Sequence, residues 1–188
     1  MMKTYILPSL KLTFILIIIC AVCYPLLIAG IAKLAPGGGK GVTVSVNGKV
    51  VGYENIGQKF TDDKYFWGRP SAVNYNAAGS GGSNKAPSNA EYLAQVKARI
   101  DTFIVHNPGV NKADIPVELV TASGSGLDPD ISPAGALVQV KRIAKVRNLN
   151  EEKVKQLVTE QIQKPLLGFL GPEKVNILKL NIALDLLK

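Results

Sequence analysis

Few side chains in this sequence are equipped for chemistry, and local geometry accounts for most of them. His106 is the only histidine. It falls at the expected end of a helix, where an imidazolium complements the negative end of the helix dipole. No second histidine is present to complete a metal set or a serine-type triad. Ser123 in Ala122-Ser123-Gly124 lacks the preceding Gly-x of a nucleophile elbow. Asp128 and Asp130 flank Pro129 and work as turn residues as readily as they would work as a carboxylate pair. Cys20 and Cys23 have redox spacing but lie inside an apolar run, where Cys behaves as a small apolar side chain. These residues predict no catalytic set and no metal site.

Two glycine-rich stretches carry more chemical interest. In Gly79-Ser80-Gly81-Gly82-Ser83-Asn84, successive backbone N–H groups are able to curl into an anion-binding nest. A helix capped at Ser88 would add its positive end close by. The competing reading is a flexible or partner-docked loop, since no motif lysine lies within it. Pro36-Gly37-Gly38-Gly39-Lys40-Gly41 has the look of a phosphate loop. However, Lys40 is followed by Gly41 and a strand-like run, so a linker fits better. Tyr65-Phe66-Trp67 holds the only tryptophan, and three consecutive aromatics cannot all face one way on a strand. Either two are core and one is exposed, or the cluster meets a membrane or a protein partner.

The elements that must position these residues follow from length and patterning. The chain has 188 residues and a formal net charge of +8. Its mean hydropathy of +0.17 is unevenly spread, with no acidic residue before Glu54. Leu12 to Ala32 is uncharged over about 21 residues, enough to cross a hydrocarbon core of roughly 30 Å. Gly30-Ile31-Ala32 resembles a signal-cleavage site, but the run exceeds a signal core of about 7–15 residues. A retained single-pass anchor is expected, with Pro25 kinking it. Lys3 and Lys11 flank one side and Lys33 and Lys40 the other, so charge does not set the orientation. The expected organisation is a tail and anchor over 1–34, a linker over 35–41 and an α+β domain over 42–188.

Within the domain, Val42–Val46 and Lys49–Tyr53 alternate around Asn47-Gly48, the sequence signal of a tight hairpin. Residues 57 to 87 read as a long functional or docked loop. A capping box at Ser88 opens a helix with Tyr92, Val96, Ile100 and Phe103 on one face, ended at Asn107-Pro108-Gly109. Ser132-Pro133 opens another, expected to run to Arg147 with Leu137, Val140 and Ala144 inward. Asn150 caps a third, with Val154, Leu157, Val158 and Ile162 inward and Pro165 as its stop. Val175 to Leu184 reads as a closing strand. The bases of the domain are interleaved with acids, so no nucleic-acid stripe is expected.

Several of these blocks resemble the C subunit of the Kdp-type potassium-transporting ATPase. They are Tyr65 to Ser71, Gly81 to Asn84 with Pro87-Ser88-Asn89, Val120 to Pro129 with Ile131-Ser132-Pro133, and Val175 to Asn181. They stand in the family's order and cover most of the domain. The family often has His where this chain has Asp130. The resemblance implies an accessory subunit of an ATP-driven potassium-uptake complex in the cell (inner) membrane, without catalysis of its own. The implied partners are a potassium-selective channel-like subunit, a P-type ATPase subunit, a small single-span subunit and the lipid bilayer.

The family is also described as a catalytic chaperone that raises the ATP affinity of the ATPase subunit. No covalently bound cofactor is implied, and ATP enters through the complex. Gly79, Ser80, Gly81, Gly82 and Ser83 correspond to a stretch likened to an ABC-transporter signature, although Ser83 replaces its Gln. With Ser123, Gly124 and Ser125 they are the candidate nucleotide contacts. Family structures place the domain on the external face, which favours ATP effects transmitted through the complex. The docking candidates are then Tyr65, Phe66, Trp67, Arg69, Gly81, Gly82 and Asn84.

Overall fold

The computed structural model describes residues 2–187. The chain divides into two compact units, Met1–Val42 and Thr43–Lys188. In the first, α1 (Met2–Ile18) runs through a π-helical turn (Ile19–Cys23) into α2 (Tyr24–Ala32). Thr4–Ala32 forms 29 helical residues that include an unburied 18-residue window of mean hydropathy 2.8, which is long and apolar enough to span a bilayer. The helix starts before the expected Leu12 and tolerates Pro8 as well as Pro25. Pro25 acts through the wide turn ahead of it. A proline ring crowds the carbonyl four residues back and offers no N–H. Here Tyr24 N–H reaches instead to the Ile19 carbonyl, five residues back, which opens the turn. Cys20 and Cys23 lie in that turn as free thiols. After Ala32 a short 3₁₀ turn, Pro36–Gly39, places Gly37 and Gly38 at φ of 78° and 61°. Strand β1 (Thr43–Val46) follows it.

The second unit is α+β. It opens with a hairpin of β1 (Thr43–Val46) and β2 (Lys49–Tyr53), turned at Asn47 (φ 51°) and Gly48 (φ 77°). Both turn residues are left-handed, which matches the twist of paired strands. A bulge interrupts the register between Val44 and Ser45. No helix or strand is formed between residues 54 and 89. Helix α3 (Ala90–His106) follows, and then β3 (Asp130–Ile131), α4 (Pro133–Leu137), α5 (Val140–Arg147) and α6 (Glu151–Glu160). The chain closes with β4 (Ile162–Gln163), β5 (Lys174–Asn176) and α7 (Ile177–Leu186). The small sheet has the order β3-β5-β4, antiparallel throughout, pairing Ile131 and Ile162 with opposite edges of Val175. The core gathers Ile143 of α5, Val154 and Val158 of α6, Val175, and Leu180 and Leu184 of α7, all fully buried.

Four expectations shift. The cap of α3 is Asn89, not Ser88: its side chain accepts from Tyr92 N–H at 2.9 Å. The helix after Ser132 breaks at Val138–Gln139 into α4 and α5. The break changes the helical phase, so Leu137 is 39% exposed while Val140 and Ala144 point inward as expected. Ile162 lies on β4, because α6 ends at Glu160 before reaching Pro165. Most of Val175–Leu184 is helix. Asn176 accepts from Lys179 N–H at 3.1 Å and starts α7, whose buried Ile177, Leu180, Asn181 and Leu184 share one helical face.

Asn176 also donates to the Glu54 carbonyl at 2.8 Å and to Asp130 Oδ1 at 3.3 Å. Its loss therefore removes a cap and leaves buried groups unpaired. Asn176→Ala is expected to cost about 2–3 kcal/mol, against about 1 kcal/mol for the exposed cap change Asn89→Ala. Thermal unfolding of the full chain in detergent checks this, with the Asn176 variant melting at the lower temperature.

Candidate functional site

The aromatic segment has no strand partner, yet its backbone is paired. Asn181 on α7 accepts from Phe66 N–H at 2.8 Å and donates to the Phe66 carbonyl at 3.0 Å. Gln139, at the α4–α5 break, accepts from Trp67 N–H at 2.8 Å and donates to the Trp67 carbonyl at 3.1 Å. Each side-chain amide presents one N–H and its carbonyl oxygen to the segment, as a neighbouring strand would. Both amides are almost fully buried. This clamp drops Phe66 into the core at 0% exposure, so it leaves the set of docking candidates. Tyr65 and Trp67 are half-buried.

Arg142 on α5 completes the clamp. Its Nε donates to Asn107 Oδ1 at 3.0 Å, Nη1 to the Tyr65 carbonyl at 3.0 Å and to the Asp63 carbonyl, and Nη2 to Gln139 Oε1 at 2.7 Å. The guanidinium lies 4.6 Å from the centre of the Trp67 ring. Burial pulls its pKa down to about 10, opposed by Asp63 and Asp62, so it remains charged at neutral pH. Trp67 also packs edge-on to Phe103 and to His106, and His106 Nδ1 lies 2.7 Å from Asp63 Oδ1. Tyr65 lies beneath the Arg147 guanidinium and shares Asp185 with it.

The two glycine-serine stretches come together. Gly81 N–H and Ser80 Oγ both donate to the Ser125 carbonyl, each at 2.9 Å. Ser123 is buried, donates its N–H to the Pro70 carbonyl at 3.1 Å and accepts from Gly126 N–H at 2.9 Å. A Cβ on Gly82 would meet the Gly124 carbonyl at 3.0 Å. Gly79, Gly81 and Gly82 do not take left-handed φ, so the alternation that forms a nest is missing. Ser83 is half-buried and Asn84 is exposed with φ 51°. Arg69 pairs with Asp128 at 2.9 Å, which ties the aromatic segment to the second stretch. Tyr75 donates to the Arg69 carbonyl. Its pKa is pushed up to about 12, chiefly by burial and further by Asp128, with Arg69 opposing, so the hydroxyl stays a donor. Asp130 pairs with Lys174 at 2.6 Å.

A separate cleft of about 470 Å³ lies between residues 59–75 and α3, lined in part by Lys59, Phe60, Trp67, Arg69, Arg99 and His106. Neither glycine-serine stretch lines it. Sequence reasoning missed Gln139, Arg142, Arg99 and Asp63 altogether. Their partners lie far away along the chain, and no local spacing marks them. His106 sits at its helix end as expected, and its ring nitrogen is within hydrogen-bond distance of the Asp63 carboxylate.

The model of the family described as "KdpC: K+-transporting ATPase, c chain" matches residues 6–186. A potassium-transporting ATPase KdpC subunit of Flavobacterium psychrophilum is 64% identical over 179 residues, covering 95% of this chain and 96% of the relative. The corresponding protein of Flavobacterium johnsoniae is 66% identical over the same coverage. That of Bacteroides fragilis is 54% identical over 190 residues, covering 100% and 99%.

The contact between the two stretches depends on glycine at one position above the others. Gly126 has φ +68°, and a Cβ there would sit 2.5 Å from Val73 Cγ2 and 2.8 Å from the Gly81 carbonyl. A Cβ on Gly124 would meet nothing within 4 Å. Gly126→Ala is expected to destabilise by about 2 kcal/mol or more and Gly124→Ala by about 0.5 kcal/mol or less. Denaturant unfolding of the two variants checks the contrast, and equal losses would count against the packing described.

Proposed function

The chain belongs to the KdpC family, the c chain of the K+-transporting ATPase, and on that premise we propose that it assembles and regulates the pump without hydrolysing ATP. It is an accessory subunit for potassium uptake, with one N-terminal apolar helix of membrane-spanning length. The observation that carries the proposal is where the polar side chains of the domain are spent. Gln139, Asn181, Arg142, Arg69 and Ser123 all hold loops in place. A platform with its loops clamped suits docking, since little ordering remains to be done on binding. In this reading the domain lies on the external face and meets the channel-like subunit. The P-type ATPase and small single-span subunits complete the complex around the anchor. Tyr65, Trp67, Arg69 and the rim at Gly81, Gly82 and Asn84 supply the docking contacts. Any rise in ATP affinity of the ATPase subunit, the catalytic-chaperone role, is transmitted through the complex.

The alternative is direct ATP contact through Gly79–Ser83 and Ser123–Ser125. The meeting of the two stretches supports it. Against it, Gly81 N–H and Ser80 Oγ are already committed to the Ser125 carbonyl.

Topology separates the two readings. With Cys20 and Cys23 replaced by alanine and a single Cys added after Lys188, which lies outside the described residues, an impermeant maleimide should label intact cells. Labelling only after the cytoplasm is opened would sink the external placement and restore the ATP reading. For docking, Gly81→Ala has room, since its Cβ would lie 3.8 Å from Val73 Cγ1. Asn84→Gly keeps the left-handed backbone while removing the side chain. Together they are expected to lower co-purification of the partner subunits while leaving the melting temperature of the chain nearly unchanged.

A further inference from the structure

Between β4 and β5 the chain projects a short apolar finger, Pro165-Leu166-Leu167-Gly168-Phe169-Leu170-Gly171-Pro172. Leu166, Leu167, Phe169 and Leu170 are 70%, 75%, 74% and 51% exposed. Among the described residues of the domain, no other five-residue stretch exposes four large apolar side chains. The tip is ordered by its own bonds. Leu166 and Leu170 exchange N–H···O bonds at 3.2 and 2.9 Å, and Gly168 N–H reaches the Pro165 carbonyl at 3.0 Å. Leu167 and Gly168 both sit at left-handed φ, 56° and 82°. An L side chain avoids that region, and here the bend holds Leu167 out in solvent instead of turning it toward the core.

We propose that this finger enters the interfacial layer of the bilayer and holds the domain against the membrane. Four properties favour lipid as the occupant. The bonds within the tip already satisfy much of its backbone, which lowers the cost of moving it into an apolar medium. The tip is convex, and a fluid bilayer requires no matching groove. Lys164 is exposed on one flank, and the other flank carries Glu173 and the Lys174–Asp130 ion pair, so the finger's rim presents no net negative charge to an anionic headgroup layer. Finally, the chain between Lys33 and Val42 extends at most ~35 Å, against a radius of gyration of about 15 Å for a domain of this length, so a retained anchor leaves the finger able to reach the surface. The proposal rests on the N-terminal helix being a retained anchor.

The test uses the assembled complex in vesicles of phosphatidylethanolamine and phosphatidylglycerol. With Cys20 and Cys23 replaced by alanine, an environment-sensitive fluorophore is attached through Phe169→Cys, and in a control through Val105→Cys, a position 76% exposed on α3. Shallow nitroxide-labelled lipid is expected to remove roughly half of the emission at 169 and little at 105, given insertion of about 5–10 Å. Equal quenching at both positions overturns the proposal. The unmodified complex supplies a second measurement, with diazirine-bearing phosphatidylglycerol cross-linked and mapped by mass spectrometry. Adducts are expected in both 12–32 and 164–174. Adducts in 12–32 alone overturn the finger and leave the anchor standing. Adducts in neither overturn the anchor reading as well. Cross-links from 169 to another subunit, without lipid quenching, assign the finger to a protein partner and overturn the lipid proposal.

Discussion

Four hydrogen bonds between two buried amides and the backbone of Phe66 and Trp67 are the constraint on which the domain depends. Residues 54–89 form no helix or strand, so this stretch lacks the ladder that usually satisfies a buried backbone. Asn181 and Gln139 supply the missing partners. Each such bond contributes only about 1 kcal/mol net, but an orphaned buried group costs about 1–3 kcal/mol, so the four act together. Phe66 can be enclosed only because its N–H and carbonyl are both satisfied.

That constraint shapes the helices around it. Gln139 reaches Trp67 and the Gly135 carbonyl while accepting from Arg142, and it does so from a break between α4 and α5. Arg142 follows one turn later and reaches the backbone of Asp63 and Tyr65. The aromatic segment, the α4–α5 break and the buried face of α7 are therefore one unit, linked across more than a hundred residues at the Phe66–Asn181 pair. Exposed ion pairs such as Lys64–Asp62 and Lys85–Glu91 add little beside it, being screened by water.

In a domain clamped in this way, Gln139, Asn181 and Arg142 are spent on holding the loop over 63–67. The proposed role uses the half-buried edges of Tyr65 and Trp67 and the rim of the paired glycine-serine stretches. Those stretches are held by a single carbonyl, Ser125, and by glycine at 126. Their geometry is that of two segments of the chain laid against each other.

The sequence by itself determined what neighbouring residues can enforce. A charge-free run long enough to span a bilayer, the Asn47-Gly48 hairpin, Ser132-Pro133 and Asn150 as helix starts and the α+β class were all legible, because each rests on contacts a few residues apart. Long matched blocks also disclosed the family. Only the tertiary structure decided the rest. Val175–Leu184 reads as a strand because a short apolar run does not declare its period, and Asn176 becomes a helix cap only once the chain turns there against Glu54 and Asp130. Leu166 to Leu170 is apolar, yet its side chains are exposed on a turn that closes on itself. Gln139, at the break between α4 and α5, carries no mark of the Trp67 backbone 72 residues away. Propensities and caps act over one or two turns of chain, whereas the pairing of buried polar groups is settled only when distant segments fold together and water is excluded.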